Sequence, residues 1–197
     1  VLTCQVTATG PLLLTIRAAG GEILHRESLS VPLPQVLFVT SEGSIEMELD
    51  PAAAPVTVSN FLDYVNRGFY RNTLFHRVIP GFVAQAGGYT TGLVRKPGQL
   101  DPIELESNKG LSNARATVAM ARTNVFNSAT SEFYVNLVDN TFLDYKNAAN
   151  PGYAVFGKVV QGMDVVDAIA AEPTGGVGGF SDVPLADIAL SLALQTK

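Results

Sequence analysis

Residues 73–87 of this chain read TLFHRVIPGFVAQAG, and this stretch decides the fold. Residues 74–79 and 82–86 are apolar and rich in branched side chains, and the turn dipeptide Pro80-Gly81 separates them. The pattern predicts two short strands joined by a tight turn. A single fixed cation, Arg77, stands among these apolar residues. For a lone arginine the default interpretation is a surface salt bridge, so these residues by themselves leave the role of Arg77 open.

The sequence before this stretch predicts a hairpin followed by a helix. Residues 36–40 and 45–49 form the strands, because Ile45, Met47 and Leu49 alternate with acidic residues around the turn 41–44. The helix has apolar residues spaced i, i+3, i+4, i+7 and a glycine where a C-cap belongs. These residues are Val58, Phe61, Leu62, Val65 and Gly68.

The sequence after this stretch predicts more strands and a second helix. The helix follows Gly162, carries Met163, Val166, Ile169 and Ala170 on one face, and ends before Pro173. Short apolar runs predict strands at residues 117–121, 133–138, 154–160 and 187–194. Many strands and two helices make the fold mostly β, but periodicity alone leaves a sandwich and a barrel equally open.

The remaining segments are predicted to be loops and turns. Residues 87–113 and 122–131 are rich in Gly, Asn, Ser, Thr and Pro. The run 175–179, GGVGG, lacks the Lys-Ser/Thr ending of a phosphate-binding loop, so we interpret it as a flexible turn.

The first 34 residues are predicted to form a separate β-rich extension. Apolar residues alternate at positions 2, 4, 6 and 8, and the turn Gly20-Gly21 separates two further apolar runs, which suggests two or three strands. A unit of this size cannot bury a core alone. It must pack on the main domain or on another chain, and both alternatives are open. Cys4, the single cysteine, is interpreted as a strand residue, and it excludes an internal disulfide.

Composition excludes several classes of function. The 197 residues are 47% hydrophobic and suffice for one domain, residues 35–197, plus the extension at residues 1–34. A net charge of -5 with 13 scattered Lys and Arg argues against nucleic acid as a partner. No apolar run reaches the roughly 18 residues that a membrane span needs. We therefore expect neither a nucleic-acid partner nor a membrane span.

Residues 73–87 and four later stretches together resemble the cyclophilins, a family of peptidyl-prolyl cis-trans isomerases. The later stretches are 118–122 (VAMAR), 131–136 (SEFYVN), 141–144 (TFLD) and 153–159 (YAVFGKV). The resemblance spans about residues 36–195, and Phe142 in place of tryptophan is similar to the bacterial, periplasmic-like branch. It implies an eight-stranded antiparallel closed β-barrel capped by two α-helices.

The resemblance also implies a reaction that makes and breaks no covalent bond. Rotation about an X-Pro amide is slow because resonance stiffens the C–N bond, with a barrier of about 18 to 20 kcal/mol. Neither a metal nor a cofactor is therefore expected. By motif position Arg77 would stabilise the twisted amide, Gln85 would orient Arg77, and Phe82 would hold the proline ring. The expected partners are proline-containing unfolded or loop polypeptides.

Further positions are implied to bind the substrate. Val83, Tyr134 and Leu143 complete the slot for the proline ring together with Phe82, and Phe142 lies at its edge. Ala121 and Arg122 match the strand that pairs with the substrate backbone. Tyr153 is the candidate for a position that is histidine in many eukaryotic members.

The chain departs from the family pattern in ways that bear on activity. Glu132 replaces a glutamine, and its carboxylate is expected to pair with Arg77 and compete with the substrate. Tyr134 replaces a phenylalanine and adds a hydroxyl that needs a partner. The alternative hypothesis is therefore a peptide-binding or chaperone module with weak catalysis. The chain has no tryptophan, which predicts weak cyclosporin binding. His76 is expected to be structural, with its side chain facing away from Arg77.

The compartment and the role of the extension are open at this stage. Because the sequence starts at Val1 and resembles exported members, we expect the bacterial periplasm, with the cytoplasm as the alternative. A third hypothesis makes residues 1–34 the functional element, mediating a homodimer or attachment to a client.

Overall fold

The computed structural model of the protein describes residues 9–197, and fourteen strands and two α-helices are found there. In chain order the elements are β1 (Gly10–Arg17), β2 (Ile23–Val31), β3 (Gln35–Thr40), β4 (Gly43–Leu49), α1 (Pro55–Asn66), β5 (Thr73–Ile79), β6 (Val83–Ala86), β7 (Tyr89–Thr90), β8 (Val94–Arg95), β9 (Thr117–Met120), β10 (Phe133–Asn136), β11 (Val155–Gln161), α2 (Met163–Ala171), β12 (Thr174–Val177), β13 (Phe180–Pro184) and β14 (Ala189–Gln195).

Eight of these strands close into a barrel, in the order β10, β6, β5, β14, β3, β4, β11, β9 and back to β10. Every neighbouring pair is antiparallel. The prediction of an eight-stranded antiparallel closed barrel with two helices is confirmed. Residues 9–197 contain no helix whose length and hydropathy would suit a membrane span.

The barrel interior is filled by side chains from alternate strand positions. In β4, Ile45, Met47 and Leu49 are buried, as the alternation predicted. At the centre, the rings of Phe38 and Phe133 stack with centroids 5.5 Å apart, and Phe61 of α1 meets Phe133 edge to face at the same distance. These aromatic contacts fix helix α1 against the strands that carry the candidate site.

Helix α1 depends on a distant residue for its N-terminal cap. It begins with Pro55 after Ala54, which has no side-chain oxygen to accept a hydrogen bond. The carboxylate of Glu106 supplies the acceptor instead, 3.2 Å from the amide of Val56 and 2.8 Å from that of Thr57. A carboxylate also suits the positive end of the helix dipole. The segment that carries Glu106 is thus held against helix α1 by these hydrogen bonds.

The extension forms an isolated hairpin, β1 with β2, in the described residues. No side chain of either strand is buried, although Val31 at the end of β2 lines a surface cavity together with Pro51 and Val58 of the main domain. Leu13 and Leu24 are 52% and 63% exposed. The alternation at positions 2 to 8 and the interpretation of Cys4 fall outside the described residues.

The run at residues 175–179 differs from its prediction. It belongs to a second hairpin, formed by β12 and β13, rather than to a flexible turn. The turn itself is Gly178-Gly179, where both residues have positive φ. This hairpin packs against β5, and it brings Asp182 to the candidate site.

Candidate active site

A β-bulge in β5 determines where its two polar residues point. Phe75 pairs with Ala86 and Arg77 with Gln85, so His76 is the extra residue of the bulge. His76 and Arg77 therefore border the same surface cavity beside Gln85. The expectation that His76 faces away from Arg77 is wrong, because the bulge interrupts the alternation on which that expectation depended.

Arg77 lies at the mouth of a second cavity of about 200 Å³. The residues around this cavity are Arg77, Phe82, Val83, Gln85, Ala121, Arg122, Tyr134, Leu143 and Tyr153. All nine are among the predicted site residues, and they come from five separate parts of the chain. The structure brings these residues together, while their individual roles stay predictions. We call this cavity the proline slot.

The two remaining predicted residues lie next to the slot rather than in its wall. Phe142 stacks on Phe82 with ring centroids 5.8 Å apart and is 59% exposed, so it forms part of the rim. Glu132 lies behind Gln85 in the neighbouring cavity, together with His76.

The slot is built around a buried tyrosine whose hydroxyl has a partner. Tyr134 donates a hydrogen bond of 2.8 Å to Oδ1 of Asn113, so its buried hydroxyl has the partner that it requires. Burial raises the pKa of Tyr134 well above its usual value, so the phenol stays neutral. The ring of Tyr153 meets it edge to face at 5.9 Å. The slot thus keeps an apolar surface without an unsatisfied hydroxyl.

Asp144 holds Asn113, the hydrogen-bond partner of this tyrosine. Its Oδ1 accepts hydrogen bonds from the amide and the side chain of Asn113, at 2.7 and 2.9 Å, and its Oδ2 accepts from Ser112 at 2.6 Å. Desolvation raises the pKa of Asp144, but these three hydrogen bonds outweigh it and bring the pKa below its usual value. Neither Asn113 nor Ser112 was predicted from the sequence.

Arg122 lines the proline slot, and its side chain is held in place by hydrogen bonds. Its Nε and Nη2 donate to the carbonyl oxygen of Gly152 at 3.0 and 2.8 Å, and its guanidinium lies 4.6 Å from the ring centre of Tyr153. Gly152 has φ +65°, and a Cβ there would come within 2.3 Å of the carbonyl oxygen of Leu143, so only glycine fits.

The guanidinium of Arg77 has polar neighbours on two sides. Its Nη1 lies 3.4 Å from Oε1 of Gln85, and its Nε lies 3.9 Å from Oδ2 of Asp182. The Arg77 side chain keeps 38% of its surface exposed, which leaves room for a ligand above it. Asp182 was missed because no spacing in the sequence indicates that β13 reaches β5.

Glu132 does not pair with Arg77 as expected. Its Oε2 accepts a hydrogen bond from Nε2 of Gln85 at 2.9 Å and lies 3.2 Å from Nε2 of His76. Burial raises the pKa of Glu132, but hydrogen bonding and charge from His76, with smaller contributions from Gln85 and Arg95, bring the pKa below its usual value. The carboxylate of Glu132 thus contacts Gln85 and His76 and not Arg77.

Comparison with known proteins establishes the family. Residues 35–192 match the model of the cyclophilin type peptidyl-prolyl cis-trans isomerase/CLD family. The chain belongs to this family. The cyclophilin is 49% identical over 162 residues to peptidyl-prolyl cis-trans isomerase A of Dickeya dadantii, covering 82% of this chain and 84% of that protein. It is 48% identical over 155 residues to peptidyl-prolyl cis-trans isomerase B of Escherichia coli K12, covering 78% and 94%.

A solved structure supports the same fold. The cyclophilin type peptidyl-prolyl cis-trans isomerase of Cryptosporidium parvum superposes with a TM-score of 0.68 at 22% identity, covering 84% of this chain and 98% of that one. The family match and the two bacterial relatives, from Dickeya dadantii and Escherichia coli, identify this cyclophilin as an enzyme of the peptidyl-prolyl cis-trans isomerase class.

Proposed function

We propose that this cyclophilin accelerates X-Pro rotation in unfolded or loop segments of proteins, with Arg77 as the residue that stabilises the transition state. The observation that carries the assignment is the position of Arg77, whose guanidinium borders the apolar slot and remains partly exposed. Catalysis of this rotation needs modest stabilisation, because a thousandfold gain corresponds to only about 4 kcal/mol.

The proposed mechanism places the proline ring in the slot and its amide beside Arg77. Phe82 and Tyr134 hold the ring through apolar contact. As the amide twists, its nitrogen regains a lone pair and its carbonyl loses resonance, and the guanidinium donates hydrogen bonds to the twisted form. No proton leaves Arg77, because a guanidinium stays protonated throughout the accessible pH range.

Gln85 is proposed to orient Arg77 during this rotation. Its Oε1 accepts from the guanidinium at 3.4 Å, on the strand directly opposite Arg77. Ala121 and Arg122 lie at the far wall of the slot, where an extended substrate would run alongside them. Backbone contacts of this kind tolerate varied residues around the proline.

The test is protease-coupled isomerisation of an Ala-Pro-Phe-type peptide, with wild type compared with Arg77→Ala. We expect kcat/KM to fall at least about 100-fold, because the group that acts in the transition state is lost. Arg26→Ala, an arginine on the hairpin strand β2, is the matched control and should leave kcat/KM unchanged. A folded wild type that does not accelerate the reaction would overturn the proposal.

The alternative of a peptide-binding module with weak catalysis is not favoured. That alternative was based on two expectations, that Glu132 competes for Arg77 and that the hydroxyl of Tyr134 lacks a partner. The carboxylate of Glu132 is bonded to Gln85 and His76 instead, and the hydroxyl donates to Asn113.

Weak cyclosporin binding remains part of the proposal. It is supported by the lack of tryptophan in the chain, since Phe142 at the rim offers no indole N–H. A titration of isomerase activity with cyclosporin should give inhibition well above the nanomolar range. Nanomolar inhibition would contradict this part of the proposal.

We also propose that the hairpin of β1 and β2 mediates a homodimer. Leu12 and Leu29 are cross-strand partners on one face of the hairpin and are 39% and 42% exposed, and a lone two-stranded sheet is marginally stable in water. Light scattering should give a dimer mass for the wild type and a monomer mass for the double variant Leu12→Glu, Leu29→Glu. A monomeric wild type would contradict the proposal.

The bacterial periplasm is our proposed compartment, supported by the resemblance to exported members. Fractionation of the host cell with an antibody to this cyclophilin tests it. Recovery with the cytoplasmic fraction would overturn the assignment.

A further inference from the structure

A line of polar side chains runs away from the slot behind Arg77. Nη1 of Arg77 lies 3.4 Å from Oε1 of Gln85, and Nε2 of Gln85 lies 2.9 Å from Oε2 of Glu132. The same Oε2 lies 3.2 Å from Nε2 of His76. The four residues are thus linked in sequence from the exposed guanidinium to a buried imidazole.

The chemistry of the two outer groups fixes the direction of the amide between them. A guanidinium can only donate hydrogen bonds, and an ionised carboxylate can only accept them. Gln85 must therefore turn its NH₂ toward Glu132 and its oxygen toward Arg77. A glutamine at position 132 would offer both a donor and an acceptor. Residue 132 would then no longer determine the orientation of the Gln85 amide.

His76 holds the carboxylate in place. It is 4% exposed, and its ring packs on Tyr89 at 4.7 Å, which in turn meets Phe180 edge to face at 5.1 Å. Within residues 9–197, Nδ1 of His76 has no hydrogen-bond partner. Among the described residues, the one polar contact of this buried ring is therefore that of Nε2 with Glu132, which indicates that the ring is placed for that contact.

The arrangement also keeps the negative charge of Glu132 away from Arg77. Glu132 is satisfied by His76 and Gln85. The oxygen that faces Nη1 of Arg77 therefore belongs to a neutral amide, and the carboxylate of Asp182 lies farther away, 3.9 Å from Nε. An amide oxygen orients the guanidinium without forming an ion pair that a substrate carbonyl would have to displace.

We propose that Glu132, held by His76, is a positioning residue for catalysis, which fixes the amide of Gln85 so that its oxygen orients Arg77. This inference rests on the proposed function of Arg77. It reverses the expectation from the sequence, in which Glu132 would suppress activity.

The experiment measures kcat and KM of the full chain for Glu132→Ala, alone and combined with Gln85→Ala. We expect Glu132→Ala to lower kcat about tenfold with KM changed less than about twofold, because a misplaced group costs rate rather than binding. In the Gln85→Ala background the same substitution should change kcat less than about twofold, since its effect passes through Gln85.

Two further variants complete the design. Glu132→Gln retains one acceptor oxygen but adds a donor, so it should recover only part of the lost kcat. Glu104→Ala removes an exposed carboxylate for which no hydrogen bond or ion pair is found in the described residues, and it should leave kcat unchanged. Near-ultraviolet circular dichroism and thermal unfolding establish that each variant is folded.

The outcomes separate this inference from the proposed function. Unchanged or raised kcat in Glu132→Ala, or an equal loss with and without Gln85, would overturn the inference while leaving Arg77 as the catalytic residue. An inactive folded wild type would overturn the proposed function itself. If Glu132→Ala does not fold, His76→Leu in both backgrounds provides the same cycle, with His76→Gln, which keeps a donor, as the rescue.

Discussion

The barrel and the N-terminal hairpin are both antiparallel sheets, yet they bury their side chains very differently. In the barrel, closure gives every strand two neighbours and one face inside, and Phe38, Phe61 and Phe133 are fully buried. In the hairpin, β1 and β2 have only each other, and no side chain is buried. A run of apolar residues therefore predicts a strand, but only the number of partners decides whether those residues become a core.

The largest contrast is expected from removing one large apolar side chain in each region. Phe61→Ala should lower the free energy of unfolding by about 4 kcal/mol, because it removes contacts with Phe38, Phe133 and Phe156 and leaves a cavity. Leu13→Ala in the hairpin should change it by less than about 0.5 kcal/mol, since that side chain is 52% exposed. Urea unfolding measures both values.

Similar losses of unfolding free energy in Phe61→Ala and Leu13→Ala would contradict this contrast between barrel and hairpin. They would show that the hairpin contributes to the same cooperative unit as the barrel, through contacts made in an assembly.

A smaller contrast is expected between two glycines that share a positive φ. Gly152 has φ +65° and no room for a Cβ, whereas Gly21 in the hairpin turn has φ +87° and nothing within 4 Å. Gly21→Ala should cost about 1 kcal/mol from backbone strain alone. Gly152→Ala should cost about 2 to 3 kcal/mol, because overlap with the Leu143 carbonyl adds to the same strain.

Gly152→Ala should also lower kcat/KM, since the Gly152 carbonyl anchors Arg122 in the wall of the slot. Thermal unfolding and the protease-coupled assay measure the two effects. Equal destabilisation at both glycines would contradict the close packing around Gly152.

The smallest effect concerns the dependence of barrel stability on pH. The pKa of Asp144 is lowered in the folded state, so its stabilisation is present above the pKa of the unfolded chain and is lost as pH falls through the folded value. Asp144→Ala should lower the free energy of unfolding by about 1 kcal/mol at pH 7, a figure kept small by the partial solvent exposure of the carboxylate.

The deficit of Asp144→Ala should shrink as pH falls below about 4, the ordinary range of an aspartate. Urea unfolding at a series of pH values measures it. Asp101→Ala, which removes an exposed carboxylate, is the control and should show no such dependence. A deficit that stays constant with pH would show that the charge of Asp144 is not what stabilises the loop.

The sequence predicted the strands and both helices because their periodicity is strong. Closure of the strands into a barrel was implied only by the family resemblance, because five of the eight neighbouring pairs in the barrel are not consecutive strands. The bulge at His76 left no periodic signal, so the side chain was placed on the wrong side of β5. Asp182 and Asn113 reach the site from distant loops and hairpins, and local pattern carries no information about such contacts. The residues of the slot could be located only because the motifs resemble a family.

The position of β14 has a consequence for how the enzyme is made. This strand, the last one in the described residues, lies between β3 and β5, so the barrel cannot close until residues 189–195 are available. During synthesis one edge of β3 and one edge of β5 stay unpaired until residues 189–195 have left the ribosome. Contacts between strands so far apart in sequence also make folding slow relative to a helical protein of the same size. A catalyst of prolyl isomerisation in other chains thus acquires its own active form only after residues 189–195 have been made.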